Sequence, residues 1–137
     1  MMNLNEKIFL AGANGMVGRA LKKALLKKGY GNQSLGGIIF SPAKKQLNLL
    51  NYNALEDWYR ENNPTVVIIA AAKVGGILAN SENPYDFIFE NLKIEANIIE
   101  LSRKFQVKKL LFLGSSCIYP KFSKQPIKEE YLLESSL

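Results

Sequence analysis

A glycine-rich loop constrains the fold of this chain more than any other feature. Residues 12–18 read GANGMVG, a G-x-x-G-x-x-G pattern between a short apolar run at Lys7–Ala11 and an amphipathic segment at Met16–Lys28. In a strand–loop–helix unit the three glycines permit a tight turn, close approach of a pyrophosphate and packing of the helix on the strand. The free N–H groups of the first helical turn attract phosphate. The loop predicts dinucleotide contacts at Gly12, Ala13, Asn14, Gly15, Met16, Val17 and Gly18, and a plain turn is the alternative.

Short apolar runs alternate with helical patterns along the rest of the chain. Strands are predicted at Lys7–Ala11, Gly37–Phe40, Thr65–Ala72 and Lys109–Leu113, and helices at Met16–Lys28, Ala54–Glu61 and Ser81–Phe105. This alternation is typical of an α/β fold with a doubly wound parallel sheet, and right-handed crossovers predict the strand order 3-2-1-4. We expect one Rossmann-type domain over residues 1–137, with a sheet that is incomplete towards its C-terminus and an irregular tail from residue 119.

The composition excludes several kinds of site. The chain has no histidine and a single cysteine, so histidine-based triads, most zinc sites and an internal disulfide are excluded, and no metal site is expected. No apolar run is long enough to span a membrane and no signal peptide is recognisable, which predicts a cytoplasmic protein. The net charge of +6 admits an anionic partner, but no arginine-rich stripe with aromatic residues indicates nucleic acid.

The segment after the second predicted strand bears on the choice of cofactor. Dinucleotide sites for NAD carry an acidic residue about 20 residues beyond the glycines, where it binds the ribose. Here residues 38–45 read IIFSPAKK, and no acidic residue occurs between Gly18 and Glu56. Lys44 and Lys45 stand where a 2′-phosphate is met, so the sequence favours NADP(H) over NAD(H). Solvated loop charges are the alternative interpretation of both lysines.

Two further segments follow predicted strands at the same edge of the sheet. Ala70–Ile77 reads AAAKVGGI, and its small residues allow a cofactor to lie across the strand ends, with a tight turn as the alternative. Residues 114–120 read GSSCIYP after the fourth strand. A serine there is able to donate to a substrate carbonyl and a cysteine to act as a base, although such residues also serve as turn formers and buried fillers.

Five segments together carry a family resemblance. They are GANGMVG, LNLL at Leu47–Leu50, AAAKVGGI, FIFEN at Phe87–Asn91 and LLFLGSSCIYPKFSKQPIKE at Leu110–Glu129. In these segments the chain resembles the GDP-L-fucose synthase family of extended short-chain dehydrogenase/reductases. The resemblance implies an NADPH-dependent enzyme that epimerises GDP-4-keto-6-deoxy-D-mannose at C3 and C5 and then reduces the C4 ketone.

The resemblance also implies roles for particular residues. Ser115 matches the serine that binds the carbonyl, and Cys117 matches the base for epimerisation. Besides the glycine loop, the implied cofactor contacts are Lys44, Lys45, Leu49, Ala71, Leu113, Gly114 and Ser116. The chain departs from the pattern at Asn14, where some relatives carry an arginine near the 2′-phosphate.

The family's Tyr-x-x-x-Lys pair and its GDP-sugar domain have no counterpart within residues 1–137. The resemblance therefore predicts an N-terminal part that is inactive alone and acts on a GDP-sugar only in the complete enzyme. A non-catalytic NADP-binding or interaction module and another nucleotide-sugar epimerase or dehydratase of the superfamily are the alternatives. Because Lys109–Leu113 is expected at an exposed sheet edge, we also expect a homodimer or other self-association.

Overall fold

The computed structural model describes residues 2–132 and residue 134. Its sheet has four parallel strands, which are β1 Lys7–Ala11, β2 Ile38–Phe40, β3 Val66–Ile69 and β4 Lys109–Phe112. The helices are α1 Met16–Lys27, α2 Tyr52–Asn62, α3 Ile77–Glu82 and α4 Pro84–Lys104, with short 3-10 turns at Gln33–Leu35, Ser116–Ile118 and Glu129–Tyr131. The predicted α/β Rossmann-type fold is confirmed. The last part of the predicted irregular tail, residues 133 and 135–137, lies outside the described residues.

The predicted strand order 3-2-1-4 is wrong. The order in the sheet is β2-β1-β3-β4, because β3 pairs with β1 on the side opposite β2, with Ile8 beside Val66. Helix α1 packs on one face of the sheet and α2 on the other. Connections between parallel strands are right-handed. Two successive right-handed connections whose helices lie on opposite faces must therefore step across the sheet in opposite directions. The connection through α2 therefore returns past β1 instead of extending beyond β2.

The long helix predicted over residues 81–105 begins later, at Pro84, and residues 81–82 belong to the separate helix α3. Pro84 lacks an N–H and disfavours helical backbone angles in the residue before it. Asn83 accordingly has the non-helical angles φ −132° and ψ 50°, and it separates α3 from α4. Pro84 then occupies the first turn of α4, where its missing donor costs nothing. None of the helices in the described part of the chain is long and apolar enough to cross a membrane.

Two apolar layers cover the sheet, as the alternation of side chains along β1 and β3 requires. On one face Ile8, Leu10, Val66 and Ile68 pack with Leu25 of α1. On the other face α2 and α4 pack over Phe9, Ala11, Val67 and Ile69. In that second layer the buried Tyr59 hydroxyl lies 3.1 Å from Ser102 Oγ, and burial raises the pKa of Tyr59 to about 12. This hydroxyl therefore stays protonated and ties α2 to α4.

A buried carboxylate joins three strands at the edge of the sheet opposite the glycine loop. Glu6 is only 6% exposed, accepts a hydrogen bond from the Thr65 hydroxyl and lies 3.3 Å from Lys108 Nζ. These three residues immediately precede β1, β3 and β4. The Thr65 hydrogen bond, followed by Lys108, outweighs desolvation and lowers the pKa of Glu6 below its usual 4.5.

We predict that this carboxylate gives the folded chain a pH-dependent stability. Because its pKa is lower in the folded state, the Glu6 carboxylate stabilises the fold fully at pH values above its unfolded pKa of 4.5. This stabilisation disappears as the pH falls through the folded pKa. Glu6→Gln should lower the free energy of unfolding by about 1–2 kcal/mol at neutral pH and by progressively less in acid. Urea unfolding across pH measures this, with the exposed Glu61→Gln as control. A constant difference between Glu6→Gln and the parent at every pH would contradict the assignment.

The outer edge of β4 generates a second prediction. Among the described residues β4 pairs only with β3, and its Leu111 and Phe112 side chains are each 43% exposed. An apolar edge strand without an inward charge or proline recruits a further strand, and a second copy of the chain offers one. Size-exclusion chromatography with light scattering should therefore find self-association that Leu111→Lys weakens and Leu26→Lys, on exposed α1, does not. A parent that stays monomeric at tens of micromolar would refute it.

Candidate functional site

A cleft of about 420 Å³ opens at the carboxyl ends of β1 and β3. Four parts of the chain form its walls: the glycine loop, the segment after β2, the segment after β3 and one side of α4. Of the residues predicted to contact a cofactor, the cleft brings together Gly12, Ala13, Asn14, Gly15, Lys44, Leu49 and Ala71. The carboxyl ends of adjacent parallel strands are where open sheets of this kind bind ligands.

Two glycines bring three backbones into contact beside the cleft. Gly12 has φ +84°, and a Cβ there would lie 2.5 Å from the backbone of Ala70 at the end of β3. A Cβ on Gly18 would lie 2.1 Å from the Gly12 carbonyl oxygen. Neither distance is compatible with a side chain. Gly12 thus lets the turn pass against β3, and Gly18 lets α1 pack against that turn.

The third glycine leaves the start of α1 open to an anion. Gly15 is the N-cap residue, has extended backbone angles and supplies no side-chain cap, and the first turn of α1 contains no acidic residue. A Cβ on Gly15 would meet only the Gly12 carbonyl oxygen, at 3.4 Å. The N–H groups of the first turn, Met16 to Gly18, and the positive end of the helix dipole are therefore uncompensated by a side chain. Met16 and Val17 contribute backbone here, and their exposed side chains do not line the cleft.

Helix α4 fixes the segment after β3 through one lysine. The Asn91 side chain accepts a hydrogen bond from the Lys73 backbone N–H at 2.7 Å and donates to its carbonyl at 3.0 Å. The Lys73 ammonium lies 2.6 Å from a Glu90 carboxylate oxygen and 3.6 Å from Asp86. The hydrogen bond to Glu90 raises the pKa of Lys73, and the same contact lowers the pKa of Glu90. Both groups are therefore charged at neutral pH, and this cleft cation is already paired.

A second polar residue of α4 supports the opposite wall. Asn97 is 8% exposed and donates from Nδ2 to the Leu49 carbonyl oxygen at 2.8 Å. Asn48 accepts from the Leu50 N–H at 3.1 Å, and Asn51 caps α2 by accepting from Ala54 N–H. These hydrogen bonds hold the irregular segment 47–51 in place along the cleft.

The remaining predicted residues do not line this cleft. Leu113, Gly114, Ser115, Ser116 and Cys117 follow β4 at the same edge of the sheet and are exposed, and Lys45 is exposed as well. Ser115 Oγ accepts a hydrogen bond from the Cys117 backbone N–H at 3.2 Å, which begins the 3-10 turn and leaves the thiol free at the surface. In the described part of the chain no cluster of acidic or cysteine side chains is arranged to hold a metal ion.

Sequence reasoning missed Lys73, Glu90, Asn91 and Asn97 as site residues. Lys73 and Asn91 lie within the AAAKVGGI and FIFEN segments, but an 18-residue separation does not reveal that the asparagine binds the lysine backbone. Asn97 could have been recognised from the sequence, because it is a polar residue within the apolar stripe of a predicted helix. A polar residue on a core-facing stripe needs a buried partner, and here that partner is in the cleft wall.

Comparison with known proteins assigns the family. The model of the NAD dependent epimerase/dehydratase family matches residues 8–137. The chain belongs to this family. A GDP-L-fucose synthase from Escherichia coli (strain K12) is 45% identical over 132 residues, which cover 96% of this chain and 39% of that protein. GDP-L-fucose synthase 1 from Arabidopsis thaliana is 46% identical over 137 residues, which cover all of this chain and 41% of that protein.

A solved structure agrees in fold. MlghC, a GDP-mannoheptose C4 reductase from Campylobacter jejuni with NADP bound, superposes with a TM-score of 0.87 at 37% identity and covers 100% of this chain and 41% of that chain. The resemblance found in the sequence motifs is thus confirmed as homology to GDP-L-fucose synthases. This chain spans about two fifths of the length of the relatives that it matches.

The glycine geometry predicts a large cost in stability for alanine at Gly18 and small costs at Gly15 and Gly76. In a helix alanine is intrinsically favoured over glycine by about 1 kcal/mol, yet Gly18→Ala should destabilise by about 3 kcal/mol because its Cβ collides with the Gly12 carbonyl. Gly15→Ala should cost less than about 1 kcal/mol, as should Gly76→Ala at the comparable N-cap of α3. Thermal or urea unfolding measures all three. Equal stability of Gly18→Ala and Gly15→Ala would show that the close approach is absent.

Proposed function

We propose that this chain is the NADP(H)-binding domain, residues 1–137, of an enzyme that makes GDP-L-fucose. The complete enzyme epimerises GDP-4-keto-6-deoxy-D-mannose at C3 and C5 and reduces the C4 ketone. The observation that carries the proposal is the cleft at the ends of β1 and β3, with the uncapped start of α1 beside it. Its identity as a GDP-fucose enzyme is supported by 45–46% identity to synthases from a bacterium and a plant.

The cleft fits a dinucleotide on its own geometry. The side-chain-free face of Gly15 and the first N–H groups of α1 would hold the pyrophosphate, since Gly15 lines the cleft and no side chain caps the helix. Ala71 is small enough to let a flat ring system pass over the end of β3, and Leu49 offers an apolar contact on the opposite wall. NADPH bound in this way supplies the hydride for ketone reduction. The choice of NADP(H) is supported by the absence of acidic residues between Glu6 and Glu56.

Ser115 and Cys117 would provide the chemistry on the sugar. The Ser115 hydroxyl would donate a hydrogen bond to the C4 carbonyl oxygen, which acidifies the C–H bonds at C3 and C5. The Cys117 thiolate would take the proton from C3, and solvent would reprotonate the resulting enolate on the opposite face of the ring. The thiol would then release its proton to solvent before the same exchange takes place at C5. Both residues follow β4 at the edge of the sheet where the cleft opens, and both are accessible to a substrate. In this role Leu113, Gly114 and Ser116 would pass along the nicotinamide end of the cofactor.

A second candidate function is reduction of a GDP-sugar at C4 without epimerisation. The similarity to MlghC, a GDP-mannoheptose C4 reductase, favours this second function. The two functions differ in what they require of Cys117. An epimerase needs a base at this position, whereas a simple reductase needs the carbonyl contact, a hydride and a proton for the carbonyl oxygen, and no base for C3 and C5.

A chimera separates these functions. The chain would replace the matching residues of the E. coli GDP-L-fucose synthase, which is 45% identical, so that the rest of an active enzyme is supplied. We expect this chimera to turn over GDP-4-keto-6-deoxy-D-mannose with NADPH and to exchange the C3 and C5 protons with solvent deuterium. Cys117→Ser should abolish the exchange, a loss of about 10²-fold or more, while reduction of an already epimerised intermediate survives.

Ile118→Ala is the matched control in the chimera, because Ile118 neighbours Cys117, is exposed and has no assigned contact with cofactor or sugar. An active chimera whose deuterium exchange survives Cys117→Ser would contradict the role of the thiol. Reduction without any exchange in the parent chimera would favour the second function. Equal loss of exchange and reduction in Cys117→Ser would indicate that the residue acts structurally.

A further inference from the structure

One hydrogen bond joins the buried side of α4 to a wall of the cleft. Asn97 is 8% exposed and lies beside the fully buried Ile98 and one turn before the fully buried Leu101. Its Nδ2 donates to the Leu49 carbonyl oxygen at 2.8 Å, across 48 residues of sequence. Leu49 lines the cleft, whereas Asn97 does not. A side chain outside the cleft therefore holds a residue that a ligand in the cleft would contact.

For residues 43–50 this is the one hydrogen bond to a distant element in the described part of the chain. The other hydrogen bonds of these residues are local and reach no further than Asn51. They shape the segment internally but do not fix its distance from the sheet. Leu47 and Leu49 also pack on the core, but apolar contact is not directional. The hydrogen bond from Asn97 is directional, so it sets the position of the Leu49 backbone.

The wall that contains Leu49 lies on the side of the cleft away from the proposed chemistry. In the proposed function hydride is delivered to a sugar at Ser115 and Cys117, which follow β4, so the nicotinamide would lie towards β4. Strands β2 and β4 are at opposite edges of the sheet, and Leu49 belongs to the segment after β2. With the pyrophosphate at the start of α1, the adenosine half would lie on the side of Leu49.

We propose that Asn97 is a positioning residue for the cofactor, which it affects through the Leu49 backbone without touching the ligand. The amide holds Leu49 at the distance at which its apolar side chain packs on the adenine ring. Loss of this donor leaves the Leu49 carbonyl oxygen without its partner, and the segment shifts to bring that oxygen to water. This inference rests on the proposed NADP(H)-binding function and extends it to a helix residue outside the cleft.

Ser102 offers a matched control on the same helix. It is 5% exposed, and its hydroxyl lies 3.1 Å from that of Tyr59, so it too is a buried polar residue of α4 bound to another element. Its partner belongs to the core layer between α2 and α4, and neither Ser102 nor Tyr59 lines the cleft. Loss of either hydrogen bond should lower stability to a similar extent, but only that of Asn97 bears on a ligand.

Isothermal titration of the chain with ADP, which carries the adenosine half alone, measures the effect. Asn97→Ala should weaken ADP binding about tenfold, because a wall that shifts loses its contact with the ring. Ser102→Ala should bind ADP as tightly as the parent. Thermal unfolding of the two variants should show similar losses of stability, which separates the effect on the ligand from the effect on the fold.

Asn97→Leu removes the same donor without leaving a cavity. Leucine has the same number and branching of side-chain heavy atoms as asparagine, and it adds apolar burial beside Ile98. We expect its thermal stability to stay near that of the parent while its affinity for ADP falls about tenfold. In the chimera described above, Asn97→Leu should raise KM for NADPH about tenfold and leave kcat unchanged, because the adenosine half lies away from the hydride.

The outcomes separate the inference from the proposed function. If the parent binds NADPH and ADP, and folded Asn97→Leu binds both as tightly, the positioning role is overturned and the proposed function stands. The role is also overturned if Ser102→Ala loses as much affinity as Asn97→Ala, since the effect then follows stability. If the parent binds neither NADPH nor ADP, the proposed function fails and the inference with it. Weaker binding in the Asn97 variants, with Ser102→Ala unchanged, supports both.

Discussion

The contact between three backbones at the glycine turn is the constraint on which the rest of this structure depends. Gly12 touches the end of β3, and Gly18 touches the carbonyl of Gly12, at distances that exclude any Cβ. Because the turn and α1 are held this close, the helix begins directly above the carboxyl ends of β1 and β3. The first N–H groups of α1, which no side chain caps, then lie beside the cleft that Gly15 lines. The cleft is thus a consequence of packing at the turn.

The double winding of the chain gives that cleft its walls. Helix α1 covers the face with Ile8 and Leu10, whereas α2 and α4 cover the face with Phe9 and Val67. The change of face occurs between β1 and β3, so the connections from these two strands diverge to opposite sides and leave a crevice between them. Helix α4 closes the crevice on one side, where Asn91 and Asn97 hold its two irregular segments by their backbones. The Asn91 and Asn97 side chains of α4, a helix packed on the core, therefore fix the positions of the two segments that line the cleft.

How much of this arrangement the sequence predicts depends on how far apart in sequence the interacting residues lie. The bounds of β1 and α1 were predictable to within a residue, because apolar periodicity and glycine positions are local. The place of β3 was not, although its four fully buried residues, Val66 to Ile69, indicate a strand with neighbours on both sides. The pairs Lys73–Asn91 and Leu49–Asn97 join residues 18 and 48 positions apart, and no local pattern encodes them. The glycine half of the site was therefore predictable and the polar half was not.

The electrostatic pattern of the cleft depends on which cations already have partners. Between Glu6 and Glu56 the chain has lysines and an arginine but no carboxylate, and none of these cations forms an ion pair with another described residue. On the other side α4 brings Asp86 and Glu90 to Lys73, and the contact with Glu90 lowers the pKa of that carboxyl, so the pair stays ionised. A phosphate that displaced Glu90 from Lys73 would leave that carboxylate unpaired in a partly buried site, which opposes the exchange. No such cost applies at α1 and β2. The negative charge of a dinucleotide bound as proposed would therefore be drawn towards the β2 side, while the β3 side would keep its geometry and offer small, neutral surfaces to the ring systems.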